Sequence, residues 1–304
     1  MKKSPISRRV AVLAAASLSF LAACGGGGDS AVDTTAPADA VECANPDVKV
    51  LSLSPTATEM LYAIDAGDSV VAVDSLSTYP AEVTPKVTKI SAFEPNAEAI
   101  LGYDPDLVLI SNDMNNISSQ LTTANPEITV WTGAAATSLD DVYAQITELG
   151  AATCKVAEAA ALVQSMKDRI AAATEGVTAP EGTTYFYELD NTLYSVTSNT
   201  FVGSLLARFG LENIADGAQE GNDYPQLSAE VIIEKNPTLI FLADTKCCGQ
   251  NAEEVAKRPG WGSLDAVTNN RVVELDDDVA SRWGPRLVDL VEQFSTAVKA
   301  LSTP

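Results

Sequence analysis

The 304-residue sequence contains no histidine. Without histidine, neither a Ser-His-acid triad nor a zincin motif can be built, and the commonest general base of enzymes is missing. The sequence also has no Gly-x-Gly-x-x-Gly motif and no phosphate-binding loop. Carboxylate pairs are available among its 41 acidic residues, but no motif singles one out. We therefore expect a binding protein with no cofactor, and we keep a hydrolase that uses two carboxylates as the alternative.

Basic residues and long apolar runs are scarce as well. Only 19 Lys and Arg residues face 41 Asp and Glu, so the formal net charge is −22. Such a chain repels the phosphates of nucleic acids and anionic lipid head groups, so neither is an expected partner. Beyond the first 24 residues no apolar run approaches the length of a membrane span. The acidic run at 276–278 lacks the pattern of a calcium loop and is most simply a solvated turn.

Residues 1–23 have the pattern of a bacterial lipoprotein signal peptide. Four basic residues precede an apolar stretch, and small residues then lead to Cys24. We expect cleavage before Cys24, lipid on its sulfur, and a flexible linker over residues 24–43, which are poor in apolar side chains. The chain would then be anchored to the cell membrane on its outer side. An ordinary secretory signal is the alternative, and the Arg8-Arg9 pair leaves twin-arginine export open.

Four further cysteines remain, namely Cys43, Cys154, Cys247 and Cys248. An even number outside the cytoplasm predicts two disulfides, and four cysteines allow three pairings. We favour a bridge between Cys43 and Cys154 and a vicinal bridge between Cys247 and Cys248. A metal site is the alternative, but Cys-x-x-Cys spacing and histidine are both missing, so we expect no metal.

Residues 154–174 predict one long helix near the middle of the chain. Neither Gly nor Pro interrupts the stretch, and its residues favour helix. Apolar residues recur at spacings of three and four, which places them on one face. These residues are Val156, Ala159, Ala160, Val163, Met166 and Ile170.

Short apolar strands alternate with helices on both sides of this long helix. Strands are predicted at 48–53, 70–73, 107–110, 128–131, 184–189, 193–196 and 272–275. Helices are predicted at 55–64, 94–102, 200–209 and 285–301, and another begins at its cap Ser138 and is closed by Gly150. This alternation is typical of parallel α/β structure.

Two segments of the chain resemble each other. Residues 97–110 and 229–242 share Ala, Glu, Ile, Pro and Leu at matching positions, each with a helix, a Pro turn and a buried strand. We therefore predict two parallel-sheet α/β lobes joined by one long helix, with a ligand cleft between them. The lobes span 44–150 and 177–304, and the connecting helix lies within 151–176. Two generic helix-to-strand turns that align by chance are the alternative.

Loops at the predicted strand ends carry aromatic and polar residues. In α/β domains these ends border the ligand site, and flat aromatic surfaces suit a large ring-shaped ligand. The loops lie at 54–56, 78–80, 91–93, 111–114, 188–190, 198–199, 223–225, 246–248 and 278–283.

Three motifs resemble one protein family. They are S-P-T-A-T-E at 54–59, N-A-E at 96–98 followed by D-P-D-L-V at 104–108, and R-W-G-P-R at 282–286. They are similar to the substrate-binding lipoproteins of ABC importers for ferric siderophores, haem and cobalamin, and the first is especially common in cobalamin-binding members. The resemblance covers about residues 46–302 and implies the two-lobe fold predicted above.

The resemblance also implies a ligand and a partner. It implies a monomer that binds a large metal chelate and delivers it to an ABC permease in the membrane. We expect cobalamin first and a ferric siderophore second, while a surface lipoprotein without a small ligand is a further alternative. The resemblance places Glu98 and Glu230 at the permease contacts. It places these residues near the ligand: Pro55, Thr56, Tyr79, Phe93, Tyr224, Asp278 and Arg282.

Overall fold

The computed structural model describes residues 45–302. The expected signal peptide, Cys24, the linker over 24–43 and Cys43 lie outside the described residues. The strands are β1 (Val50–Ser52), β2 (Val70–Val73), β3 (Leu107–Ile110), β4 (Thr129–Thr132), β5 (Thr184–Glu188), β6 (Glu212–Asn213), β7 (Leu239–Leu242) and β8 (Val272–Glu274).

The α-helices are α1 (Pro55–Ala63), α2 (Ala97–Leu101), α3 (Ile117–Ala124), α4 (Leu139–Ala152), α5 (Val156–Thr174), α6 (Phe201–Ala207), α7 (Ala229–Lys235), α8 (Thr245–Cys248), α9 (Ala252–Lys257), α10 (Asp265–Thr268), α11 (Asp277–Ala280) and α12 (Leu287–Leu301). Short 3-10 helices occupy Gly67–Ser69, Ala81–Lys86, Met114–Asn116 and Trp261–Ser263. None of the helices within 45–302 is long and apolar enough to cross a membrane.

The strands form two separate four-stranded parallel sheets. The first sheet has the order β2-β1-β3-β4 and the second β6-β5-β7-β8. Strands β1 to β4 precede the long helix α5, and β5 to β8 follow it. The predicted fold class of two α/β lobes joined by one long helix is therefore confirmed.

The repeat in the sequence corresponds to equivalent places in the two sheets. Helices α2 and α7 each lead into the third strand of their sheet, β3 and β7. Asn96 caps α2 by accepting a hydrogen bond from the third residue of the helix, and Ser228 caps α7 in the same way. The turn residues Asp104 and Asn236 both have positive φ before a proline, at 49° and 45°. The same local geometry thus recurs in both lobes.

The two faces of each sheet belong to different hydrophobic cores, because successive side chains of a strand point to opposite faces. One face of each sheet contributes to a core that the two sheets share. From the strands this shared core contains Val50, Leu107, Leu109, Tyr185, Tyr187, Leu239 and Phe241. The opposite faces enter two separate cores, one containing Leu51 and Val108 and the other containing Phe186 and Ile240. One continuous hydrophobic core therefore includes side chains of both sheets and of α5.

Helix α5 lies between α4 and α12. It buries Ala159, Met166, Ile170 and Ala173 in the shared core. Arg169 on its outer side donates to Asp289 and Glu292 of α12 at 2.8 and 2.9 Å. The predicted apolar face is wrong in part, since Val156 and Ala160 are exposed. The buried face follows Ala159, Met166, Ile170 and Ala173, because α12 covers the second half of the helix.

Several predicted elements differ from the structure in their bounds or their type. The helix predicted at 94–102 begins only at Ala97, because the Asn96 side chain caps it. The strand predicted at 193–196 is wrong: the segment makes only an isolated antiparallel bridge between Tyr194 and Gln226. Its backbone pairs with the loop at 223–227 and never joins the second sheet. This pairing holds the loop that carries Tyr224.

Gly150 does not close α4, as the sequence suggested, because the helix continues to Ala152. Its missing side chain instead allows α4 to approach α5. A Cβ at position 150 would overlap the Cβ of Ala159 and lie 3.0 Å from the carbonyl oxygen of Lys155. The contact between these two helices therefore depends on glycine at this position.

Replacing Gly150 with alanine should lower the free energy of unfolding by about 1–3 kcal/mol, because overpacking outweighs the higher helix propensity of alanine. Urea unfolding measures this. Gly102→Ala is the control, since Gly102 has an ordinary φ of −60° and its nearest neighbour would be 3.4 Å away. Equal effects of the two substitutions would contradict this account of Gly150.

Candidate functional site

A cavity of about 390 Å³ lies at the carboxyl ends of β1, β2 and β3. Ser54, two residues after β1, caps α1 by accepting a hydrogen bond from the Ala57 N–H, and Pro55 lies in the first turn. Pro55 and Thr56 both line the cavity. The far wall comes from the segment around α11. The lining includes Leu53, Pro55, Thr56, Asp74, Phe93, Ile110, Ser111, Asn112, Met114, Asp278, Arg282 and Trp283.

A second cavity of about 250 Å³ lies on the other side of that segment. It reaches the second lobe at Leu189, which follows β5, and it shares Ser281, Arg282 and Trp283 with the first cavity. Further lining residues are Ala135, Ala136, Val196, Thr200, Phe201, Val202, Leu205, Tyr224, Leu287 and Leu290. Segment 281–283 is thus a common wall of two cavities, one bordered by each lobe. We call the two cavities together the cleft.

Aromatic side chains stand at both sides of the cleft. Phe93 is 66% exposed on the first lobe, and Tyr224 is 56% exposed on the second. Trp283 lies between them in the common wall and donates from Nε1 to Gln145 Oε1 at 2.9 Å. Exposed aromatic rings around a concavity leave apolar surface for a ligand to cover. The cleft therefore suits a broad, flat, partly apolar molecule.

A buried ion-pair network holds the common wall against the first lobe. Glu59 of α1 has only 2% of its side chain exposed and accepts from Arg282 Nη1 at 2.9 Å and from Arg286 Nε at 2.9 Å. Arg282 also donates to Asp278 Oδ1 at 2.7 Å. The Glu59 carboxylate is the main reason that the pKa of Arg286 is raised. Arg282 is predicted to contact the ligand, but its strongest hydrogen bonds are made within the protein, to Glu59 and Asp278.

Tyr79 lies elsewhere. It is stacked on the guanidinium of Arg286 at 4.0 Å from the ring centroid. With residues of α5 it borders a different cavity of about 520 Å³, behind the ion-pair network. The structure therefore brings Pro55, Thr56, Phe93, Tyr224, Asp278 and Arg282 to the cleft but leaves Tyr79 outside it.

Asp74 and Trp283 line the cleft but were missing from the residues predicted to contact the ligand. Asp74 follows β2 directly, at the same sheet edge as Ser54 and Ser111. Its position at the carboxyl end of a parallel strand was the signal that could have identified it. Trp283 lies in a loop predicted from the sequence, but the position of its side chain depends on a hydrogen bond to Gln145, 138 residues earlier in the chain.

The predicted loop at 246–248 lies in helix α8, which packs beside an acidic cluster and lines neither cavity of the cleft. Cys247 and Cys248 are joined by a disulfide. Their helix is held by Asp277, whose carboxylate accepts from the backbone N–H of Lys246 and of Cys247. Nearby Asp244 is fully buried, and burial together with the adjacent Glu188 raises the pKa of Asp244 to about 7. No group of three or more Cys, Asp or Glu side chains within 45–302 is arranged to hold a metal ion.

Cys154 is disulfide-bonded, but Cys43 lies outside the described residues, so their pairing stays a prediction. Glu98 and Glu230 are both exposed in the first turns of α2 and α7. The backbone N–H of Glu230 and the Ser228 hydroxyl hold the pKa of Glu230 below its usual range. The two glutamates thus occupy equivalent places on the two lobes.

The chain is similar to known binding proteins in sequence and in fold. A family model described as periplasmic binding protein matches residues 50–279. The uncharacterized ABC transporter substrate-binding lipoprotein YvrC of Bacillus subtilis is 34% identical over 259 residues, which cover 82% of this chain and 79% of that protein. A cobalamin-binding protein of Halobacterium salinarum is 30% identical over 257 residues, which cover 82% and 69%. The periplasmic vitamin B12 binding protein BtuF of Vibrio cholerae matches with a TM-score of 0.70 at 25% identity, covering 84% of this chain and 98% of that one.

The ion-pair network gives a stability prediction. Glu59→Gln should lower the free energy of unfolding by about 3 kcal/mol, because it leaves two largely buried guanidinium groups without their carboxylate. Chemical denaturation measures the loss. Glu253→Gln is the matched control, since Glu253 pairs with Lys257 at the surface and should matter little. A Glu59→Gln protein as stable as the control would refute the network's role.

Proposed function

The chain belongs to the periplasmic binding protein family, and we propose that it is the substrate-binding component of an ABC importer that captures a large metal chelate, with cobalamin or a related corrinoid favoured. The observation that carries the proposal is the pair of cavities on either side of Trp283. Phe93 and Tyr224 stand exposed at their borders, one on each lobe. A flat macrocycle would cover both rings and replace water there with apolar contact.

The similarity to proteins named for cobalamin or vitamin B12 supports corrinoids as the first choice. A ferric siderophore is the second ligand to be tested. We assign the chain no catalytic role, in keeping with relatives that are named as binding proteins. The ligand would be bound by surface burial and a few hydrogen bonds, and then released unchanged to the permease.

The same proposal assigns roles to the rest of the chain. Residues 1–23 would be the signal peptide and Cys24 the lipidated residue, with residues 24–43 as the linker to the membrane surface. The lobes would span 44–150 and 177–304, joined through 151–176. A Cys43–Cys154 disulfide would fasten the end of the linker next to the start of α5. The protein would work as a monomer that meets one permease.

Equilibrium dialysis of the purified chain against cyanocobalamin, haemin and a panel of ferric siderophores tests the ligand. We expect saturable binding of cyanocobalamin with the ligand recovered unchanged. Phe93→Ala and Tyr224→Ala should each weaken it by about tenfold, because each removes a large ring from the contact. Tyr103→Ala is the control, since Tyr103 is 42% exposed but borders neither cavity of the cleft. If the protein binds only a siderophore, the proposed ligand changes from a corrinoid to a siderophore. Chemical conversion of any ligand would refute a transport role.

We further propose that Glu98 and Glu230 dock the loaded protein to the permease. They occupy repeat-related helix starts on the two lobes, and both side chains project into solvent. Two carboxylates at a fixed separation can meet two cationic pockets of a permease and so set its orientation. Contacts of this kind contribute mainly to specificity and association rate.

Replacing both Glu98 and Glu230 with alanine should abolish chelate uptake by cells while leaving the dissociation constant of the isolated protein unchanged. The double variant Glu127→Ala/Glu181→Ala is the control, because it removes the same charge from exposed sites on the same two lobes but outside α2 and α7. Uptake and dialysis are measured in parallel. Normal uptake by the Glu98/Glu230 variant, or loss of its ligand binding, would exclude the docking role.

A further inference from the structure

Asp74 is a buried carboxyl group in the wall of the cleft. It follows the last residue of β2, lines the larger of the two cavities that form the cleft, and has no exposed surface. One oxygen, Oδ1, accepts the backbone N–H of Ser77 at 3.0 Å. The other, Oδ2, is buried without a hydrogen-bond partner among the described residues. Burying an oxygen without a hydrogen-bond donor costs free energy. Because this oxygen lies beside a cavity, a ligand that enters the cavity can supply the missing donor.

The other charged groups that line the cleft are already paired. Arg282 donates to Glu59, to Asp278 and to the carbonyl oxygen of Leu76. The second oxygen of Asp278 is 3.2 Å from Lys246 Nζ. Among the described lining residues, Asp74 is the only charged side chain with a buried atom that lacks a hydrogen-bond partner. The cleft therefore offers a ligand an acceptor and no unpaired cation.

We propose that Asp74 is a specificity-determining residue of the cleft. It accepts a hydrogen bond from a carboxamide N–H at the edge of a neutral chelate. A chelate that carries a carboxylate in place of this carboxamide is bound more weakly. The inference rests on the proposed function, since it concerns the ligand of the same cleft. The selectivity comes from one favourable hydrogen bond and one unfavourable pair of like charges.

A primary carboxamide fits Asp74 in either protonation state. Burial raises the pKa of Asp74, and the neighbouring polar groups of Ser77 and Leu76 and the charge of Arg282 oppose this shift. An ionised Asp74 accepts the amide N–H, whereas a neutral Asp74 can in addition donate to the amide carbonyl. A ligand carboxylate suffers repulsion from the ionised form. Carboxamides are also the groups that cyanocobalamin carries around its macrocycle.

The test compares cyanocobalamin with its separated monocarboxylate isomers, in each of which one peripheral amide has been hydrolysed. The full-length wild-type protein should bind at least one isomer about tenfold or more weakly than the parent, because like charges would face each other. In the Asp74→Asn protein this ratio should fall to within about threefold, since the neutral amide side chain no longer repels the carboxylate. Asp74→Ser is the second variant should Asp74→Asn fail to fold.

Both ligands are measured on one preparation, so the ratio of dissociation constants does not depend on the fraction of active protein. Glu127→Gln is the control, because it removes the same charge from an exposed site away from the cleft and should keep the wild-type ratio. A wild-type protein that binds all isomers like the parent, or an Asp74 variant with an unchanged ratio, overturns the role of Asp74 while the proposed function stands. A wild-type protein that binds none of the chelates overturns both.

Discussion

The Glu59 carboxylate is the interaction on which the cleft depends. It binds two guanidinium groups that lie 223 and 227 residues later in the chain. Burying three charges costs desolvation energy, which is offset only because several charge-assisted hydrogen bonds are made at once. These bonds hold residues 282–286 against α1, and residues 281–283 are the wall that both cavities share. The Glu59 carboxylate, through its two arginine partners, and the hydrogen bond from Trp283 to Gln145 thus together place Trp283 between the aromatic residues of the two lobes.

The packing around α5 limits how the cleft can open. The two sheets share one hydrophobic core, which also takes in the buried face of α5. Helix α12 lies along α5, and its Ser295 hydroxyl donates to the carbonyl oxygen of Ala173 at 2.6 Å. A large rotation of one lobe would have to break this core, whereas small adjustments at the loops would not. A cleft that is largely formed before binding loses less conformational entropy when a ligand enters.

The sequence predicted the architecture well because its strongest signals are local. Buried strands such as 107–110 are short apolar runs bounded by turn residues, and the Ser138 cap with Asp141 appears as a reciprocal capping box. The prediction made from the repeat was correct because the helix cap, the proline turn and the strand are each determined by nearby residues. The prediction of a strand at 193–196 failed for the opposite reason. Its extended backbone pairs with the loop at 223–227, which no local pattern of that segment encodes.

The site was predictable only in part. Pro55, Thr56 and Phe93 lie on loops next to strand ends, so their place at the cleft followed from the fold. Tyr79 lies in such a loop too, but the Arg286 guanidinium holds it on another surface. Gly150 looked like a helix stop because the closeness of α4 and α5 cannot be read from one helix alone. Asp74 stands out because its Oδ2 is buried without a hydrogen-bond donor. The absence of a donor depends on residues that only the fold brings near, so the sequence alone does not show it.

The most direct test of this account is a crystal structure of the protein with the chelate that it binds most tightly. We expect the ligand in the cleft, in contact with Phe93, Tyr224 and Trp283, with Glu59 still bound to Arg282 and Arg286. A ligand bound in the cavity beside Tyr79, or a complex in which the Glu59 network is broken, would contradict it.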